Sequence, residues 1–185
     1  MFHILDIPVP AQNQENGYIA TTAEYSNCRL HLEYRWGGKR FPPRLETRRD
    51  SGIMYFVTGE DRLFPTSVEC QLTEGDVGDL NILGNASAIA GGGGRGGNAQ
   101  TTRRVVKDAN FEVLDGWNTI EIELRENTAT QLVNGRIVSR ASTILHWDPA
   151  TPEQTVPLNR GRVALQAYGA EIWFRNLRWR ALFTA

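Results

Sequence analysis

Cys28-Arg29-Leu30-His31-Leu32-Glu33-Tyr34-Arg35-Trp36 alternates without a break. Successive side chains of an extended chain point to opposite sides, so Leu30, Leu32, Tyr34 and Trp36 share one face and Arg29, His31, Glu33 and Arg35 the other. Patterning of this kind predicts a half-buried β-strand. The same reading predicts strands at Ser51–Thr58, Val68–Thr73, Trp117–Leu124, Thr130–Val133, Arg136–Ser139, Gly161–Tyr168 and Glu171–Leu182. Asn134-Gly135, flanked by Leu132-Val133 and Ile137-Val138, reads as a two-residue hairpin turn, because both central positions need positive φ. No segment sustains a helical period. So many strands without helices must bury their apolar faces against one another. The expected fold is all-β, a two-sheet antiparallel sandwich of jelly-roll type.

The 185 residues fit one domain over the whole of 1–185, large enough for a sizeable core. A formal charge of −1 offers no long-range attraction to nucleic acid or to an anionic membrane. Arg44, Arg48 and Arg49, and again Arg103 and Arg104, cluster locally and read as solvated or groove-lining side chains. No apolar run approaches the ~20 residues of a membrane span. Cys28 and Cys70 share strand parity with leucines and valines and read as small core residues rather than a disulfide. Neither has metal-site spacing, so no metal is expected. Met1-Phe2-His3 runs straight into Ile4-Leu5-Asp6-Ile7, so the chain as written carries no export signal, although a trimmed mature chain would look the same. The stretch 84–97, with Gly91-Gly92-Gly93-Gly94-Arg95-Gly96-Gly97, contains a formal GxGxxG match. No helix follows it, so the expectation is a surface loop, a flap over a groove, and not a phosphate cradle.

Two strands carry candidate chemistry. In Ser67-Val68-Glu69-Cys70-Gln71-Leu72, the apolar residues enter the core together while Glu69 and Gln71 stand on the other face. Asp50 in Arg49-Asp50-Ser51-Gly52-Ile53 takes the polar side as well, and Arg35 and His31 have the parity to join it. Polar groups fixed on a rigid sheet among bulky neighbours suit a sugar ligand. Each residue also has a plainer reading: a surface carboxylate for Glu69, a surface ion pair for Arg35, a backbone hydrogen bond for Asp50, and turn capping for Asp76 and Asp79. Trp36, Trp117, Trp173 and Trp179 read as core residues, an exposed one being able to stack on a sugar ring.

Glu33-Tyr34-Arg35-Trp36, Arg49-Asp50-Ser51-Gly52-Ile53, Glu69-Cys70-Gln71 and Glu74-Gly75-Asp76-Val77-Gly78-Asp79 occur in this order. They are followed by Gly116-Trp117-Asn118, Asn134-Gly135, a run from Gly161 to Gln166, and Phe174-Arg175-Asn176-Leu177. From about Gly17 to Leu177 the chain resembles the 3-keto-disaccharide hydrolase family, formerly a domain of unknown function. The resemblance implies a concanavalin A-like lectin/glucanase jelly roll with a carbohydrate on its concave sheet. In some members it implies cleavage of 3-oxo-glycosides, without a redox cofactor. The implied roles are Glu69 as general base with Asp50 beside it, and Arg35 and Gln71 stabilising an enolate. His31, Glu33, Arg49, Phe56, Gln166, Tyr168 and Asp79 are expected to touch substrate. Glu69 and Asp50 also offer the carboxylate pair of ordinary glycoside hydrolysis. Two positions depart from the family. Phe56 stands four past Gly52 where Arg or His is usual, and Tyr168 ends Gln166-Ala167-Tyr168 where the family has Gln-x-His. Both aromatics favour binding, whereas the Glu69 and Asp50 pair favours chemistry. An enzyme on oxidised glycosides, a non-catalytic carbohydrate-binding domain and a jelly-roll interaction module all stay open.

Overall fold

The computed structural model describes residues 1–5, 7–13, 16–90, 101–148 and 154–183. Among them the chain forms strands β1 (Phe2–Ile4), β2 (Gly17–Ala20), β3 (Cys28–Arg40), β4 (Asp50–Thr58) and β5 (Thr66–Thr73). Then come β6 (Leu80–Leu83), β7 (Ala86–Ala90), β8 (Thr101–Thr102), β9 (Arg104–Val105) and β10 (Asn118–Arg125). The last are β11 (Thr128–Val133), β12 (Arg136–Trp147), β13 (Thr155–Pro157), β14 (Arg162–Ala167) and β15 (Ala170–Ala181). The described residues contain no helix.

The strands form two antiparallel sheets. A nine-stranded sheet runs β1-β15-β3-β10-β11-β12-β7-β8, with β13 on β12. A six-stranded sheet runs β2-β14-β4-β5-β6-β9. Their inner faces meet in one large apolar cluster, which includes Leu30, Leu32, Tyr34, Val68, Cys70, Leu72, Val163 and Leu165. This is the two-sheet jelly-roll sandwich that the alternation predicts, with side chains of both inner faces forming a single core. Cys28 and Cys70 are free and buried in that core. The Asn134-Gly135 turn joins β11 to β12 with φ of 50° and 76°, as a two-residue hairpin requires.

Two expectations change here. The glycine-rich stretch does not behave as one loop from Gly84: Ala86–Ala90 is a paired strand with Ala86 and Ala88 buried. Residues 91–97, which carry the GxGxxG match, lie outside the described residues. Phe56 does not face outward as its parity with Asp50 predicts. The β4–β5 register shifts between Tyr55 and Thr58, and Phe56 itself has φ of +54°. A bulge adds a residue to one strand and breaks strict alternation. Tyr55 and Phe56 therefore both enter the main core, while Met54 and Val57 both pass to the outer face.

Candidate functional site

The outer face of the six-stranded sheet gathers five of the polar side chains singled out in the sequence: Glu69, Asp50, Gln71, Gln166 and Tyr168. Its centre is Gly52 on β4, which pairs with Gln71 on β5. β14 pairs Ala164 with Met54 and Leu165 with Ile53, and continuing that register sets Gln166 on the other side of Gly52. Glu69 lies over this glycine: a Cβ added to Gly52 would sit 2.7 Å from the Glu69 Cδ. A glycine is required there by that close approach.

A chain of hydrogen bonds runs across the face. Arg44 Nη2 donates to Asp50 Oδ2 at 2.8 Å, and Gln71 Nε2 donates to Asp50 Oδ1 at 2.6 Å. Asn81, which pairs with Glu69 in the β5–β6 register, donates from Nδ2 to Gln71 Oε1 at 2.8 Å and to Glu69 Oε2 at 3.2 Å. Glu69 is 3% exposed, and its Oε1 is buried without a hydrogen-bond partner. Burial pushes the Glu69 carboxyl up to about 7; the Asn81 bond opposes this and the Asp50 charge adds to it. Burial also raises Asp50, against the pull of Arg44 and Gln71. An acid whose environment disfavours its charge, with one free oxygen, is suited to take a proton at neutral pH.

Aromatic and loop residues complete the face. The Arg44 guanidinium lies 4.6 Å from the centre of the Tyr168 ring, and the Phe64 ring stands 6.2 Å from Tyr168. The 59–65 connection folds back on the sheet, with Asp61 accepting from Tyr18 Oη at 2.9 Å and from Arg162 Nη2 at 2.6 Å. Met54, Val57 and Ala164 are buried on this side, with Tyr18, Ala20 and Leu83 packed on them.

Glu69, Asp50, Gln71, Gln166 and Tyr168 are thus brought together, but other expected members are not. Arg35, His31 and Glu33 belong to β3 of the nine-stranded sheet, whose inward residues line the shared core. Their outward parity points them to the opposite side of the sandwich from Glu69. There Arg35 lies 5.2 Å from the Trp117 ring centre and 5.8 Å from that of Trp173. Glu33 accepts from Arg175 Nε and Asn176 Nδ2, both at 2.7 Å.

Arg49 is a structural clamp rather than a groove residue. It donates to Glu74 Oε1 and to the Gly37 carbonyl, both at 2.6 Å, tying β3 to the end of β5. Asp79 is 2% exposed and bound by Arg104 Nε at 2.8 Å and by the Lys107 amide at 3.0 Å. Burial raises its carboxyl, but these bonds and the Lys107 ammonium outweigh that and hold it below its ordinary value. Phe56, in the core, cannot touch a ligand on this face.

Two participants were missed as site residues. Asn81 had a signal: in Leu80-Asn81-Ile82 it is the polar member of an alternating run, as Glu69 is in its own. Arg44 lay inside an arginine cluster, and nothing in its spacing says that it folds over β4. Of the tryptophans, Trp36 is buried as expected, Trp117 and Trp173 are half-buried on the outer face of the nine-stranded sheet, and Trp179 is exposed.

The family model of the 3-keto-alpha-glucoside-1,2-lyase-like domain matches residues 6–180. No curated protein matches the sequence. Among solved structures, the chain is similar to carbohydrate-binding module CBM66 from Bacillus subtilis, with a TM-score of 0.59 and 12% identity over 92% of this chain and 84% of that one. It is also similar to two Parabacteroides distasonis proteins described as candidate glycosyl hydrolases. One has a TM-score of 0.56 and 20% identity over 91% of this chain and 84% of that one. The other has a TM-score of 0.55 and 16% identity over 89% and 76% respectively. At these identities the likeness is one of fold.

Proposed function

The chain belongs to the 3-keto-alpha-glucoside-1,2-lyase-like domain family, a carbohydrate-related family, and from that premise we propose that it cleaves 3-oxo-glycosides with Glu69 as general base. The observation that carries this reading is the Glu69 carboxyl: buried, raised to about 7, held through Oε2 by Asn81 and with Oε1 unpartnered. A ketone at C3 of a sugar acidifies the hydrogen on C2. Oε1 removes that proton, the electrons pass to the C3 oxygen as an enolate, and collapse of the enolate expels the C1 substituent. Protonation of the leaving group and addition of water across the resulting enone complete a net hydrolysis. The enolate oxygen needs a hydrogen-bond donor or a cation on the same face. Arg35 is on the other sheet and is not that group. The strand register sets Gln166 beside Gly52, and its side-chain amide is the donor this reading assigns. Arg44 orients Asp50 and, stacked on Tyr168, presents positive charge to the sugar.

Single-turnover assays on a panel of 3-oxo-glucosides test the reading. Glu69→Gln is expected to keep ligand binding and to lower turnover by the roughly 10²- to 10⁴-fold of a lost general base. Wild-type protein that binds these sugars and converts none of them overturns it. One observation favours a second reading, a non-catalytic carbohydrate-binding domain: the Glu69 side chain is 3% exposed, so a base there needs the covering groups to move before substrate arrives. Under that reading Glu69→Gln changes affinity alone.

A further inference from the structure

We propose that a cleft at one end of the sandwich, beyond the 59–65 connection, holds a distal residue of a neutral oligosaccharide whose bound end lies at Glu69. This rests on the reading of the Glu69 face as a sugar site and extends it to a substrate class. A hollow of about 440 Å³ is lined by Glu60, Arg62, Thr66, Asn85, His146 and Trp147, among others. A second, of about 540 Å³, is lined by Arg62, Leu63, Phe64, Gly84 and Asn85. The two share Arg62 and Asn85 and so form one trough. Its volumes fall in the usual ligand-site range of about 300–1,000 Å³.

The trough leads to the carboxylate. Phe64 at its inner end stands beside Tyr168, Tyr168 lies under Arg44, and Arg44 is bonded to Asp50.

Its walls are preorganised. Thr66 is 5% exposed and donates from Oγ1 to Asn85 Oδ1 at 2.7 Å; Asn85 Nδ2 donates to the Trp147 carbonyl at 2.9 Å. The Gly84-Asn85 turn presses on Thr66 so closely that a Cβ on Gly84, whose φ is +62°, would lie 2.6 Å from the Thr66 Cα. Arg103 locks the same turn through the Gly84 and Ala86 carbonyls, both at 2.7 Å.

The chemistry selects the ligand. Trp147 is 40% exposed and Phe64 43%, presenting aromatic surface at both ends of a trough otherwise lined with hydrogen-bonding groups. Aromatic faces cover the C–H faces of a pyranose, while amides, hydroxyls and charged groups take its hydroxyls. Glu60, Asp148 and Arg62 put charges of both signs in the lining, so the trough offers no single-sign cluster to a polyanion or a polycation.

The test is isothermal titration of the full chain with malto- and cello-oligosaccharides from disaccharide to hexasaccharide. Wild-type affinity is expected to climb with chain length by about tenfold or more, the scale at which a buried aromatic anchor acts, and then to level off. Trp147→Ala should abolish most of that climb, and Trp147→Phe, which keeps a ring, should retain part of it. Thermal melts verify that both variants fold. Equal affinity for short and long chains overturns the proposal, as does binding of no member of either ladder or an intact climb in Trp147→Ala. A climb that persists in a wild-type protein inactive on every 3-oxo-glucoside supports the trough and removes the catalytic reading instead.

Discussion

At the scale of single residues, the Glu69 carboxyl depends on what Gly52 lacks. The strand beneath the carboxyl is smooth only because Gly52 has no side chain. Gly52→Ala places a methyl group in the carboxyl's position and forces Glu69 aside, while Asn81 still holds Oε2. Misplacement of a catalytic group by about 1 Å costs on the order of 10²-fold in rate. Gly52→Ala is therefore expected to lower kcat by about that factor and, because the added methyl overpacks a buried carboxyl, to cost about 1–3 kcal/mol of stability. Assays of kcat beside thermal melts decide it: full activity in the variant excludes Glu69 as the positioned base. Wild-type kcat/KM should rise with pH and level off above about 7, the value to which burial lifts Glu69, falling about tenfold per unit below it. A pH profile flat through that region contradicts the assignment. Glu69 and Gln71 were legible as an outward pair because β5 alternates without interruption, and Asn81 was open to the same reading.

At the scale of the strand, β4 shows where alternation stops informing. Asp50 through Ile53 follow the pattern, so the placement of Asp50 and Ile53 was legible. The bulge after Tyr55 inverts the rest, and no composition signal announces it: Phe56 is a bulky residue at φ +54°, where a glycine or asparagine would have been the usual mark. The family's cationic position, read by counting four past Gly52, thus falls on a core side chain. Phe56→His is consequently expected to destabilise rather than to restore activity. Phe56 is fully buried and packs edge-on to Tyr55 at 5.6 Å. Replacing it with a smaller polar ring opens a cavity and buries an unpaired nitrogen, a loss of about 2–4 kcal/mol on the scale of large-to-small core substitutions. Urea unfolding measures this directly. A variant as stable as wild type with raised turnover shows that Phe56 reaches the ligand after all.

At the scale of the whole molecule, parity says which residues share a side of their own strand but not which sheet that strand joins. Arg35 and Glu69 have equivalent outward parity, yet β3 and β5 lie in different layers, so their outward faces look away from each other. Sheet membership is set by pairings distant in sequence, such as β3 with β15 and β4 with β14, which local patterning does not encode. What the layers share is a charge balance that sets stability against pH. Arg49, with a smaller contribution from Arg40, holds Glu74 down to about 2, and Glu33 and Glu123 are also held low by arginine and asparagine partners. Those contributions are present above the ordinary carboxylate pKa and are lost only as pH falls through the lowered values. Glu69 acts in the opposite sense. Its folded pKa of about 7 exceeds the ordinary 4.5, so the folded chain keeps a proton that the unfolded chain releases. The stability linked to that proton is fully present below about 4.5 and is lost as pH rises through about 7. At about 1.4 kcal/mol per pKa unit the loss is of the order of a few kcal/mol. Wild type should therefore be most stable near the lower end of that window and weaken toward neutral pH, in the range where a base at Glu69 becomes active. Glu69→Gln, which cannot ionise, should lack the decline. Its stability relative to wild type, from urea midpoints, should be higher by a few kcal/mol at pH about 8 than at pH about 4.5. Parallel pH dependences for the two proteins would mean that Glu69 ionises in the folded chain as readily as in water, and the argument for a burial-tuned base would fall with it.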